Sequence, residues 1–111
     1  MDYKTAVLEG CKLFPMQTFG AWFGNHAERA CVNGAALGGL LNDKTAAWVT
    51  RNPYGTIRDA FPVLSTLTLC PALSAACGFS KRHHLVLDIT VHLNDHHYWS
   101  REKIADWVDE L

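Results

Sequence analysis

With 111 residues, nearly half of them apolar, and 10 Lys plus Arg against 11 Asp plus Glu, the chain has the length of one domain and a formal charge of −1. A balance this close to neutral lacks the electrostatic footprint of general nucleic-acid binding, and there is no run of about 18 apolar residues to cross a membrane. A domain of this size buries roughly two-thirds of the surface its unfolded chain exposes, so cross-links and metals are optional to its stability.

Met1-Asp2-Tyr3-Lys4 lacks the basic segment and apolar stretch of a secretory signal, which points to a cytoplasmic location. The cysteines Cys11, Cys31, Cys70 and Cys77 are accordingly read first as reduced thiols and second as metal ligands. Asp2 is placed to cap a first helix whose apolar positions Tyr3, Ala6, Val7, Cys11 and Phe14 follow three-and-four spacing, and Pro15 stops it. On that face Cys11 acts as a small hydrophobe.

From Gln17 to Cys31 the periodicity breaks. Phe19, Trp22 and Phe23 are separated by Gly20 and Gly24, and Asn25-His26 marks a turn, so this stretch is expected to be a short hairpin or an ordered loop. The apolar, small residues Ala35 to Leu41 suit a buried helix. Glycines inside it cost about 1 kcal/mol each relative to alanine, which implies that another backbone packs closely there. Between Asn42 and Pro71 the breakers Asn52-Pro53, Gly55 and Pro62 divide the chain into short pieces, with Trp48 and Phe61 expected to plug the core. Lys81-Arg82-His83-His84 reads as a solvated loop.

Residues 85–93 carry two patterns. Leu85, Leu87, Ile89, Val91 and Leu93 alternate as in a strand, while Leu85, Val86, Ile89 and Leu93 share a helical face that Asn94 could terminate. The last segment is clearer. Ser100 caps a helix, Trp99 is placed as a hydrophobic staple on Ile104, and Ile104, Trp107, Val108 and Leu111 form one stripe. Asp106, Asp109 and Glu110 lie near the end of that helix, where they oppose its dipole. Their ordinary role is a solvated face; the alternative is an acidic patch that binds a basic partner.

Two constellations could carry chemistry. Cys70-Pro71, Cys77-Gly78 and His92-Leu93-Asn94-Asp95-His96-His97 contain the residue types of a tetrahedral zinc site, most simply Cys70, Cys77, His92 and His97. Six residues separate the cysteines where two to four are usual, and Leu73-Ser74-Ala75-Ala76 resembles a helical turn. That spacing favours a plainer reading, in which the imidazoles hydrogen-bond at a helix junction, the thiols are buried, and no cofactor is required. The second constellation places Cys31 at a helix N-terminus, where the dipole lowers a thiol pKa, with His92 and Asp95 completing a Cys-His-Asp triad. Small apolar neighbours favour an inert Cys31, and the chain has no phosphate loop, dinucleotide fingerprint or nucleophile elbow.

Arg29 to Leu37 and His92 to Val108 together resemble segments of small uncharacterised bacterial and phage proteins. Those proteins pair a Cys-x-x-Gly-Ala-Leu-like segment with a later His-Leu-Asn-Asp, aromatic-Ser/Thr-Arg-Glu, Ile-Ala-Asp-Trp segment. The matching stretches cover about a quarter of the chain. Some such proteins carry a compact Cys-Pro-x-Cys-Gly knuckle, from which the Cys70 to Gly78 segment departs. The resemblance tips residues 85–93 toward helix and implies a bacterial or prophage origin and a helical domain, with no activity attached.

The expectation is therefore a mainly α, small single-domain helical fold over residues 1–111, with room for a short β-hairpin and an α+β arrangement as the alternative. The expected role is that of a phage-type accessory protein binding another macromolecule, in one form an inhibitor of a host defence system. Its partner would be a protein, or a second copy of the chain in a homodimer. The alternatives are a zinc-stabilised helical binding domain and a thiol enzyme centred on Cys31.

Overall fold

Asp2 begins the first helix as its spacing requires: Oδ1 accepts the Thr5 N–H at 2.7 Å, and α1 runs over Tyr3–Leu13. The computed structural model describes residues 1–24, 28–72 and 77–111. Tyr3, Ala6, Val7 and Gly10 face inward from α1, and Phe14, fully buried, closes it before Pro15.

The second helix, α2 (Val32–Leu41), starts three residues earlier than the run of small residues suggests. Cys31 is its cap: the sulfur accepts the Gly34 N–H at 3.3 Å, so Asn33-Gly34 is a first helical turn instead of a reverse turn. Residues from Val32 through Gly39 are all buried, as expected of a helix apolar on every side. Its glycines have the anticipated purpose. A methyl group on Gly39 would collide with the Ala6 carbonyl of α1, and one on Gly10 of α1 with the Ala35 carbonyl.

Two short helices follow, α3 (Lys44–Trp48) capped by Asp43 and α4 (Pro53–Ala60) capped by Asn52 with Pro53 in its first turn. A 3₁₀ turn spans Pro62–Ser65. Phe61 plugs the core as expected, but Trp48 does not: it is 45% exposed, stacked on Phe23 at the surface. A five-residue helix bounded by breakers buries only Ala47, leaving Trp48 on its outer side.

The strands are two-residue pairs. Between α1 and α2, β1 (Met16–Gln17) pairs with β2 (Arg29–Ala30) in parallel, a pairing the sequence did not suggest; within the stretch read as a short hairpin or ordered loop, Phe23 bridges Ala30 antiparallel, flanked by hydrogen bonds from Gly24 N–H to the Arg29 carbonyl and from Cys31 N–H to the Trp22 carbonyl. A partner far along the chain holds the parallel pair. The buried guanidinium of Arg101 donates to the carbonyls of Phe14, Pro15, Met16 and Ala30. The turn expected at Asn25-His26 lies outside the described residues, as does the helical turn expected at Leu73 to Ala76.

Further on, β3 (Leu67–Thr68) pairs antiparallel with β4 (His84–Leu85), closing a long loop, and α5 (Val86–Asp95) follows directly. The segment with two patterns is thus helical from Val86 on, with Val86, Ile89, Thr90 and Leu93 buried. Ser100 caps the last helix, α6 (Arg101–Asp109), by accepting the Lys103 N–H at 3.1 Å. Ile104, Ala105 and Val108 bury its stripe against α1 and α2, while Leu111 lies beyond the helix and is exposed. The architecture is mainly α with short strand pairs, and no described helix is long and apolar enough to cross a membrane.

Buried amides join these helices. Tyr3 donates to Asn33 Oδ1 at 2.6 Å, and Asn33 Nδ2 donates to Thr90 Oγ1 at 3.0 Å, linking α1, α2 and α5. Asn94 Oδ1 accepts from Val32 N–H and Gln17 Nε2, while its Nδ2 donates to the Thr18 carbonyl and to Asp95. Polar groups removed from water need such partners, and these have them.

Candidate metal centre

Cys70 and Cys77 lie within the loop that β3 and β4 close. The Cys70 N–H donates to the Phe79 carbonyl at 3.0 Å, and the Cys77 carbonyl accepts from both Ser80 N–H and Ser80 Oγ. These bonds bring the two cysteines to one side despite the six residues between them. Opposite stands the C-terminal end of α5. His92 occupies its last turn, and His97 follows where the chain leaves the helix, with Tyr98 in the left-handed region at φ 54°.

One ligand atom from each of Cys70, Cys77, His92 and His97 lies within 4.8 Å of the other three. His92 Nε2 is 3.1 Å from Cys77 Sγ and 2.9 Å from His97 Nε2. Four donors holding zinc at about 2.0–2.3 Å are roughly 3.3–3.8 Å apart, a spacing this cluster reaches with small adjustments. Hydrogen bonding alone serves the cluster badly. An imidazole Nε2 carries either one proton or one lone pair, so it cannot fully satisfy a sulfur and a second imidazole nitrogen together. A cation among the four donors would meet every lone pair.

The ring planes are already set. Phe79 stacks between His84 and His92, nearly parallel to His92 at 6° and 4.2 Å between centroids. Burial, then the neighbouring imidazoles of His97, His96 and His84, hold the His92 ring below its usual pKa, leaving a lone pair available at neutral pH. Burial also pushes the Cys70 thiol up, against the Ala72 N–H that favours the thiolate. A divalent cation reverses that balance, since a coordinating thiol is deprotonated outright. Two thiols and two imidazoles form the Cys₂His₂ set of structural zinc sites, and their fit here is chemical as well as geometric.

The other expected groupings fare differently. His92 is committed to this cluster, and among the described residues no imidazole hydrogen-bonds the Cys31 sulfur, so Cys31, His92 and Asp95 do not meet as a triad. Burial pushes the Cys31 thiol up to about 11, outweighing the N–H groups of Gly34 and Asn33 at the start of α2. Asp95 accepts the Gly20 N–H at 2.9 Å. In the acidic patch, Asp106 pairs with Lys4 of α1 at 3.0 Å, while Asp109 and Glu110 are exposed.

Sequence reasoning named the four residues that converge here and missed Phe79, Arg101 and the linking role of Asn33, Thr90 and Asn94. Arg101 had a signal: it shares the three-and-four spacing of Ile104, Ala105 and Val108, which marks an inward-facing position. Comparison with family models, with curated proteins and with solved structures returns no match.

Proposed function

We propose that the chain is a zinc-stabilised helical domain that works by binding another macromolecule. The observation that carries the metal is the convergence of Cys70, Cys77, His92 and His97, from a loop and a helix end, on one point. Zinc there would pin Cys70 and Cys77 to the end of α5. Binding is supported by exposed aromatic side chains, Phe19, Trp48, Tyr54 and Tyr98, of the kind enriched at interfaces. A phage-type accessory factor is the form of binder that the resemblance of Arg29–Leu37 and His92–Val108 implies.

Elemental analysis of purified protein tests the metal, with about one equivalent of zinc expected and loss of that zinc in Cys70→Ser and His97→Ala. Metal-free protein whose melting ignores both chelator and added zinc overturns it. For the binding half, metal-loaded protein used as bait retains a stoichiometric protein partner; recovery of none from the host sinks it.

A further inference from the structure

A cavity of about 200 Å³ opens between the Gly20–Trp22 segment, the first turn of α2, Tyr54 of α4 and the end of α5. It is smaller than the roughly 300–1,000 Å³ of sites for drug-sized ligands, so its natural occupant is a side chain or a very small molecule. Trp22 and Tyr54 stand at 89° to each other with centroids 4.8 Å apart, presenting two aromatic walls.

Most polar groups in the lining are already committed. Asn33 is engaged by Tyr3 and Thr90, and Asn94 by Val32, Gln17, Thr18 and Asp95. The Cys31 thiol, raised by burial, remains neutral. Asp95 is different. Its Oδ1 is fixed by the Gly20 N–H at 2.9 Å and Asn94 Nδ2 at 2.8 Å, whereas Oδ2 has no hydrogen-bond partner among the described residues. Among the described residues no Lys, Arg or His belongs to the lining. A carboxylate fixed through one oxygen beside two aromatic rings is the complement of an organic cation.

We propose that this cavity receives the cationic head of a lysine or arginine side chain presented by a partner polypeptide. A polypeptide source is favoured over a free amine by what adjoins the cavity. Phe19, next to Gly20, and Tyr98, three residues beyond Asp95, form an edge-on aromatic pair at 5.3 Å that is largely exposed and can take the chain flanking the basic residue. The proposal rests on the binding half of the reading above and is independent of the metal.

The test is an NMR titration of the full-length, zinc-supplemented chain with capped lysine, capped arginine, capped norleucine, n-butylamine and a short peptide containing one lysine flanked by apolar residues. Saturable shifts at the Gly20, Cys31 and Asp95 amides are expected for the basic probes, with norleucine about tenfold weaker or more and the peptide the tightest. Asp95→Asn should weaken the basic probes by about tenfold, and Tyr54→Leu, which touches none of the Asp95 hydrogen bonds, should weaken them with the fold intact. Norleucine binding as well as lysine, or no saturable shift with any basic probe, overturns the proposal. Butylamine binding as tightly as the peptide overturns the polypeptide source. Zinc measured on the same sample separates the two readings: zinc-bearing protein that ignores every basic probe sinks this one alone, and zinc-free protein that binds them sinks only the metal.

Discussion

Arg101 illustrates how one side chain can organise distant backbone. Its guanidinium, 4% exposed, gathers carbonyls from the end of α1 and from both members of the parallel strand pair, including Phe14 at 2.6 Å and Pro15 at 3.1 Å. Truncation would leave the Phe14 and Pro15 carbonyls without this donor, each at a cost of about 1–3 kcal/mol, so Arg101→Ala is expected to lose about 3 kcal/mol by urea denaturation. Arg101→Lys should recover only part of that, since an ammonium lacks the planar fork. Cys31 makes a different prediction. Its pKa rises from 9.0 to about 11 on folding, so the native state holds the thiol proton more tightly than the unfolded state. The sign follows: this contribution to stability is whole below about pH 9 and is lost as pH climbs through about 11. Alkylation of Cys31 by iodoacetamide at pH 8 should be far slower than that of a free thiol; a fast, single-site reaction there would revive the thiol-enzyme alternative.

At the scale of elements, the contact between α1 and α2 depends on absent side chains. Gly39→Ala should cost about 1–3 kcal/mol or more, because the new methyl meets the Ala6 carbonyl, which belongs to a rigid helix. Gly78→Ala, with nothing among the described residues within 4 Å of the added carbon, should stay within about 0.5 kcal/mol. Thermal melts of the two variants check the contrast. The packing role of Gly39 was readable in advance, as were the caps Asp2 and Ser100, because their reasons lie within a turn or in helix packing. The parallel pairing of Met16–Gln17 with Arg29–Ala30 was not readable. Local composition suggests a short hairpin or an ordered loop, and a group that holds the parallel pair, Arg101, lies more than 70 residues further on. The four converging Cys and His residues fall between these cases. Their residue types are plain in the sequence, but the wide cysteine spacing argues against a knuckle until the β3–β4 pairing and the Cys70–Phe79 hydrogen bond are seen to fold the loop back.

For the whole molecule, the decisive matter is how strongly the proposed zinc is coupled to the rest of the fold. The core cluster takes in residues from α1 to α6, including Phe14, Leu37, Ile57, Ile89 and Ile104, all fully buried, with Cys70 and Cys77 among its members at the loop side. In very small zinc domains the metal replaces a core, and chelation unfolds the chain. A 111-residue chain with this interior should instead open locally, since the least stable units of a fold exchange on their own. The loop between Thr68 and His84 is the unit at risk: apart from its strand pair, its described backbone bonds are few, among them Cys70 N–H to Phe79 and Ser80 N–H to Cys77. Chelation is therefore expected to speed hydrogen exchange at the Cys70 and Ser80 amides and at the end of α5 around His96, while amides in α1 and α2 keep their protection. The same treatment should lower the melting temperature without abolishing cooperative unfolding. Uniform loss of protection in all six helices would place the metal at the foundation of the fold, and unchanged exchange at Cys70 and Ser80 would remove the metal from it altogether.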